Sequence, residues 1–301
     1  MPLVTIIINI RNGAEYLREA LDSVLSQTFR DWEAVIWDDC STDDSSEVVR
    51  GYTDRRIRYF LSPEETHLGR ARNNAICQAT GRWLAFLDQD DIWTPDKLEK
   101  QMALVQDDVG IIYGRTVMFD RSCLALRDYD YFHEFMPLPE GDIFTELFRH
   151  ACFIAMSSAV LRRSAVIDLG GIPDTVQVAP DYYLYVAIAH RYSARAVQDI
   201  ICRYRVHPGN MTKSPTHRFR IHKEPLEIVR SWEPYLDPAL ASYRKMTYST
   251  ALAFEELKHI GTAASGARRL VSDGSLAWLL SRPFVRAWRF TRRRLQRSYF
   301  S

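Results

Sequence analysis

Asp88 and Asp90 stand two residues apart, directly after the apolar run Trp83 to Leu87. In an extended backbone that spacing sends both carboxylates to one side, where they can share a divalent cation and its waters. An oxygen-only ligand set favours Mg2+ or Mn2+ over softer metals. The same residues also read as an acidic turn ahead of a helix from Pro95, with Asp91 or Thr94 as its cap. Asp38 and Asp39 repeat the arrangement after Trp32 to Trp37, and Arg11-Asn12-Gly13 follows the first apolar run, Leu3 to Ile10. No G-x-G-x-x-G follows that first run and no Walker sequence occurs in the chain, which argues against dinucleotide oxidoreductases and P-loop enzymes.

These segments meet only if the elements between them bring them together. After the β-branched run to Ile10, Leu17, Leu21, Val24 and Leu25 recur at helical spacing, which predicts strand, turn and helix. The unit repeats: strand Trp32 to Trp37, helix Ser45 to Gly51, strand Arg56 to Leu61, helix Gly69 to Thr80, strand Trp83 to Leu87, a helix from Pro95, then extended Gly110 to Phe119. Such alternation predicts an α/β fold, a Rossmann-like, mostly parallel sheet flanked by helices, whose ligand sites lie beyond the carboxyl ends of the strands. Asn12, Asp38-Asp39 and Asp88 to Asp91 would then share one crevice. Residues 120–140 read as an irregular excursion or lid. A helix is expected from Asp142 to about His150, a strand from Ala155 to Leu161, a short helix ending at Gly170-Gly171, a helix from Asp181 to His190, and a pair of strands within Ala194 to Val206. Beyond His207-Pro208-Gly209-Asn210 the pattern turns helical, near 217–233, 238–260 and 262–281, which places a domain boundary near residue 215.

The chain has 301 residues, 47% of them apolar, enough for one large core or a main domain with an appendage. Of its 39 basic residues, seven are Arg within 282–301, where no acid occurs, so 32 face 38 acidic residues in the rest. A mildly acidic body with a basic tail is a poor match to nucleic acid. Cys40, Cys77, Cys123, Cys152 and Cys202 are odd in number and never in C-x-x-C, against a disulfide framework or a thiolate zinc site. With neither a signal-peptide pattern nor an apolar run long enough to span a bilayer, a cytoplasmic enzyme is expected.

The ordered segments Val4-Thr5-Ile6-Ile7-Ile8 to Asn12, Trp32 to Asp43, Gly69-Arg70-Ala71-Arg72-Asn73 and Trp83 to Leu98 resemble the family 2 glycosyltransferases of GT-A fold. The likeness continues through Leu169 to Asp174, Pro180-Asp181 and Tyr204-Arg205-Val206-His207, then fades after about residue 215. It implies a GT-A catalytic domain over 1–215, with nucleotide-sugar binding in 1–115 and the acceptor and base part in 140–215, followed by a helical region over 216–301. It also implies an inverting transfer from a nucleoside diphosphate sugar donor, a UDP-sugar first, to a glycan or lipid-linked acceptor in cell-surface polysaccharide assembly. By that resemblance Asp39 would hydrogen-bond the nucleobase, Asn12 and Arg11 would lie beside the donor, and Arg72 would assist phosphates or base; the other reading of Arg72 is a solvated helix charge. Asp88 would lie by the ribose and metal, Asp90 would hold Mn2+ or Mg2+, and His207 would stand near the diphosphate or the acceptor as a further metal group, its other reading being a structural His at the end of a strand. Asp181 would be the general base, with Asp174 as substitute; its other reading is a helix cap.

Several positions depart from the family pattern. Arg11 stands where an aromatic, often Tyr, precedes Asn12, which leaves the nucleobase open. Pro180 replaces the usual acid before Asp181, and Tyr183 and Ala187 stand where Asp and Arg are common. These changes keep an alternative in view: a catalytically silent member that binds sugar nucleotide or scaffolds an assembly. A nucleotidyltransferase would want a Gly-rich basic loop after strand one, which Arg11-Asn12-Gly13 supplies poorly. Trp37 reads as core, whereas Trp93 is either core or a platform for a sugar face. In the tail Phe284, Trp288, Thr291 and Leu295 share a helical stripe, with Arg286, Arg289, Arg293 and Arg297 flanking or opposing it. That helix either lies on an anionic membrane surface or packs on the protein.

Overall fold

The computed structural model describes residues 2–120, 125–130, 137–150, 152–211, 217 and 219–260. It forms two compact units, Met1–Ser214 and Pro215–Ser301.

The first unit begins with β1 (Val4–Ile10), α1 (Ala14–Leu25), β2 (Trp32–Asp38), α2 (Ser45–Arg50), β3 (Ile57–Leu61), α3 (Leu68–Cys77) and β4 (Trp83–Phe86). β1 pairs in parallel with β2 and β4, and β2 with β3. β1 and β2 are almost wholly buried, as parallel strands covered on both faces must be. Val4, Ile6, Ile8 and Ile10 share a core with Leu17, Ala20, Leu21 and Val24 of α1, whose 3.6-residue period was visible in the sequence. The two-residue β5 (Ile92–Trp93), α4 (Lys97–Met102), β6 (Val109–Phe119) and β7 (Ala125–Asp130) follow. Then come α5 (Phe144–Arg149), β8 (Val160–Arg162), α6 (Arg163–Asp168), α7 (Pro180–Ala189) and β9 (Ser193–Arg205). Among the described residues the sheet order is β3-β2-β1-β4-β8-β6-β9-β5, with β7 on β6. The parallel order of the first four strands gives way to mixed directions, since β8 is antiparallel to both β4 and β6 while β9 is parallel to β6.

Three expectations change. Ala155 to Leu161 is not one strand: a 3-10 turn, Met156–Ser158, precedes the three-residue β8. Ala194 to Val206 is one strand rather than two, because β6 follows it across the exposed Gln198-Asp199 dip by shifts of register near Gly114 and Arg115. The acidic pair does not lie on extended backbone: residues 88–91 form a turn in which the Asp91 N–H donates to the Asp88 carbonyl at 3.1 Å.

In the second unit α8 (Arg220–Trp232) packs against α9 (Pro238–Ile260). No helix among the described residues is long and apolar enough to cross a membrane. The expected helix near 262–281, the basic tail, Cys123 and much of the segment 120–140 lie outside the described residues.

Candidate active site

The carboxyl ends of β1, β2 and β4 converge, and side chains fasten them together. The α1 amino terminus has no local side-chain cap; its orphan donors go to the β2–α2 loop. Asn12 N–H donates to Ser41 Oγ at 3.0 Å, Gly13 N–H to Ser45 Oγ at 2.9 Å and Ala14 N–H to Asp43 Oδ2 at 3.0 Å. In return Asn12 Oδ1 accepts from the Thr42 N–H at 2.8 Å, with Asn12 itself at φ 49°. Asn12, expected beside the donor, thus uses its side chain to lock two loops. Asp38 is buried, taking Ser41 N–H at 2.8 Å and Tyr59 Oη at 2.7 Å. Asp39 accepts from Thr66 N–H at 3.0 Å and Thr66 Oγ1 at 2.9 Å, leaving lone pairs for another donor. Arg11 pairs with Glu65 at 2.5 Å, and its backbone is clasped by Gln89, which takes the Arg11 N–H at 2.8 Å and gives to the Arg11 carbonyl at 3.1 Å.

The 88–91 turn is surrounded by charge. Arg72 is not a solvated helix charge: it is buried on α3 and reaches Asp88 Oδ1 at 3.0 Å. Asp90 Oδ2 lies 2.8 Å from His207 Nε2. Burial and the neighbouring Asp88 charge push the Asp90 carboxyl up, with His207 opposing. Asp181, half-buried at the start of α7, is also pushed up by burial; Arg72 pulls it down and Asp88 pushes it further up. Arg72 therefore acts electrostatically on both Asp88 and Asp181. Asp181 Oδ1 accepts the neighbouring Tyr182 N–H at 2.8 Å, and α7 has no side-chain cap among the described residues.

Several assignments move. Asp174, the substitute base, lies on the surface and pairs with Arg70 at 2.7 Å and His67 at 3.5 Å. Trp93 cannot face a sugar: it is 2% exposed, donates Nε1–H to the Ser157 carbonyl at 2.6 Å and lies under the Lys97 ammonium at 3.9 Å. Trp37 is core. Neither Asp91 nor Thr94 caps α4 with its side chain: Asp91 is 1% exposed and bonded to Ser157 and Arg205, while Thr94 Oγ1 donates to Asp96. Asn73 escaped sequence reasoning. Its amide takes the Ile172 N–H at 2.9 Å and donates to the Ile172 carbonyl at 2.8 Å, anchoring to α3 the segment that leads to Asp181. Gly171, at φ +83°, permits this approach, since a Cβ there would sit 2.8 Å from Asn73 Oδ1.

A parallel sheet that continues into mixed strands, with acids gathered at the ends of β1, β2 and β4, defines a glycosyltransferase architecture of GT-A type. A Pyrobaculum calidifontis mannosyltransferase, PcManGT, solved with GDP-Man and Mn2+, superposes with a TM-score of 0.61 over 95% of this chain and 83% of its own, at 23% identity. Staphylococcus aureus TarS 1-349 with UDP-GlcNAc gives 0.60 over 86% and 72%, at 17% identity. Residues 5–170 match the family described as Glycosyl transferase family 2, and the chain belongs to it. The Escherichia coli UDP-Glc:alpha-D-GlcNAc-diphosphoundecaprenol beta-1,3-glucosyltransferase WfgD is 27% identical over 234 residues, 77% of this chain and 84% of that protein. A Bacillus subtilis (strain 168) glycosyltransferase named for teichuronic acid biosynthesis, TuaG, is 41% identical over 108 residues, 35% of this chain; the match spans only 43% of TuaG.

Proposed function

We propose that this glycosyltransferase moves a sugar from a nucleoside diphosphate donor, UDP-linked in the first instance, to a hydroxyl of a glycan or lipid-linked acceptor in cell-surface polysaccharide assembly, with inversion at the anomeric carbon. The observation that carries the reading is the placing of Arg72, buried against Asp88 and acting on Asp181, so that one cation faces both the acidic turn and the candidate base. The names of WfgD and TuaG support the polysaccharide setting, and the undecaprenyl diphosphate in the former supports a lipid-linked acceptor.

The donor set fits a hard cation. Asp88 and Asp90 offer carboxylate oxygens on one turn, and the repulsion felt by Asp90 is what a bound cation would relieve. Among the described residues no three His, Cys, Asp or Glu side chains form a ready cage, consistent with Mn2+ or Mg2+ held by one or two carboxylates together with diphosphate oxygens and water. Asp90 and Asp88 would hold it, with His207 at their side, and its charge would neutralise the departing diphosphate. Asp39 and Arg11 line the base side. Arg72 draws negative charge toward the Asp88 end. Asp181 accepts the acceptor hydroxyl's proton as that oxygen attacks the anomeric carbon and the bond from anomeric carbon to phosphate oxygen breaks, releasing the nucleoside diphosphate. The raised Asp181 carboxyl suits a base, because a more basic carboxylate takes a proton more readily near neutrality.

Docking of the basic tail on anionic lipid, beside a lipid-linked acceptor, remains part of this proposal. The test is incubation with UDP-glucose, UDP-GlcNAc and Mn2+ in the presence and absence of a diphosphoundecaprenyl sugar, reading UDP release and the anomeric configuration of the product by NMR. Acceptor-dependent UDP release with inversion is the expected result; retention, or pyrophosphate release from a nucleoside triphosphate, would refute it.

A further inference from the structure

The acidic turn is held by buried groups that the mechanism above does not use. Ser157, in the 3-10 turn before β8, is 1% exposed; its Oγ accepts from the Asp88 N–H at 3.0 Å and donates to Asp91 Oδ2 at 2.5 Å. The second oxygen of Asp91 takes the Arg205 N–H at 2.9 Å. Arg205, the last residue of β9 and 3% exposed, returns Nε–H to the Asp90 carbonyl at 2.8 Å. Its guanidinium lies between the Tyr16 ring, at 4.6 Å, and the Phe119 ring, at 4.5 Å, with Glu19 3.0 Å from Nη2. Asn210 closes the far side, donating to the Arg205 carbonyl at 3.0 Å and accepting from the His207 N–H at 2.6 Å. The Ser157 carbonyl is itself fixed by Trp93 Nε1.

Arg205 also pairs with Glu19, and Asn210 Nδ2 lies 3.4 Å from Asp90 Oδ2, but the bonds that Ser157, Asp91 and Arg205 make to the turn end on its backbone or on Asp91, and among the described residues none of these bonds takes a carboxylate oxygen of Asp88 or Asp90. An exposed four-residue turn carrying three acids would open by mutual repulsion. This one is pinned at its first residue by Ser157, at its third by Arg205 and at its fourth by both. We propose that Ser157, Asp91 and Arg205 are positioning residues for transfer: a buried brace that sets the direction of the Asp88 and Asp90 carboxylates toward the donor's diphosphate and its cation. The proposal rests on the reading of Asp88 and Asp90 given above. It assigns to Asp91 a role different from that of its neighbours: it braces the site instead of touching the ligand. It also gives a function to Ser157, which lies 66 residues further along the chain.

The experiment is calorimetric titration of UDP, with and without Mn2+, into the full chain as wild type, Ser157→Ala, Asp91→Asn and the double variant, with a melting temperature for each. Mn2+ dependence of the transfer rate is measured in parallel. The brace predicts that Ser157→Ala and Asp91→Asn each weaken Mn2+-dependent UDP binding at least tenfold. The Mn2+ concentration for half-maximal rate should rise in step, while kcat at saturating Mn2+ stays within threefold. Because both residues act through one linkage, the double variant should be no weaker than the weaker single variant by more than about twofold. Folded single variants that bind Mn2+ and UDP as wild type does, or losses that multiply in the double variant, would overturn the brace. Should Ser157→Ala not fold, Arg205→Lys keeps the charge and the backbone N–H to Asp91 while removing the Nε donor to the Asp90 carbonyl together with the guanidinium plane between Tyr16 and Phe119, and is judged by the same tenfold criterion. Failure of the wild type itself to bind UDP with Mn2+ would overturn the donor-site reading and the brace with it, and is told apart because it needs no variant.

Discussion

Replacing Asp181 by Asn removes the candidate base while changing little else. Asn keeps the side-chain oxygen that accepts the Tyr182 N–H, keeps the volume at the start of α7, and leaves Arg72 on Asp88. General-base catalysis contributes about 10²–10⁴-fold. At about 1.36 kcal/mol per tenfold, Asp181→Asn should raise the barrier by roughly 3–5 kcal/mol. Affinity for UDP in Mn2+ should stay within about threefold, because the Arg72–Asp88 pair is left intact. The pH profile adds a second check. Burial holds the Asp181 carboxyl above its usual range, so the folded state keeps its proton to higher pH than the unfolded chain does. The wild-type rate should therefore rise with pH through that raised pKa, above the usual carboxylate range, and the limb should vanish in Asp181→Asn. The same sign means that ionising Asp181 costs stability: the cost is absent below the unfolded pKa near 4 and complete above the folded one. The Asn variant should accordingly melt at or above the wild-type temperature at pH 7. Single-turnover transfer, UDP calorimetry and a melting curve on one preparation decide the matter. Transfer at the wild-type rate, or an acid limb that survives the substitution, would refute the assignment.

Other substitutions separate framework from chemistry. Lys97 is fully buried, with Nζ donating to Gln101 Oε1 at 2.6 Å, and burial pulls its pKa down to about 7, so the unfolded chain binds more protons between pH 7 and its ordinary value of 10.5. Stability should rise with pH across that window, and Lys97→Met should flatten the rise and raise the melting temperature at pH 7 by several degrees, read by calorimetry. Asn73→Ala leaves the Ile172 N–H and carbonyl without their partner, costs about 1–3 kcal/mol of stability, and should lower kcat more than UDP affinity. Asp174→Asn weakens exposed pairs with Arg70 and His67, so transfer should stay within about twofold; a loss comparable to that of Asp181→Asn would return Asp174 to the chemistry.

The first four strands were legible because each is a short β-branched or aromatic run that ends abruptly in polar residues, and because α1 repeats its apolar positions at helical spacing. That pattern also located the acids, since a parallel sheet gathers the carboxyl ends of its strands. What the pattern hid was long-range. Asp91 looked like a helix cap because its partners, Ser157 and Arg205, lie 66 and 114 residues away, and no local rule pairs them. Ser157 fell inside an apolar run that reads as strand, yet Met156–Ser158 is a 3-10 turn that aims its hydroxyl at the acidic turn. β9 read as two strands because Gln198 and Asp199 interrupt its apolar run; pairing with β6 carries it across. Trp93 attracted attention for its place beside the acids, but its indole N–H serves a buried carbonyl.

The proposed function requires Asp39, Asp88 and Asp90 to form a metal-dependent nucleotide site. The most direct measurement is the melting temperature of wild type and Asp90→Ala against UDP, dTDP, GDP and CDP, each with and without Mn2+. A nucleotide at 100 times its Kd stabilises by about 2.7 kcal/mol, a shift of several degrees for a domain of this size. Such a shift is expected for UDP only when Mn2+ is present, and is expected to be lost in Asp90→Ala. No shift with any nucleotide, or a shift that persists without Mn2+ and in the variant, would contradict the proposed function.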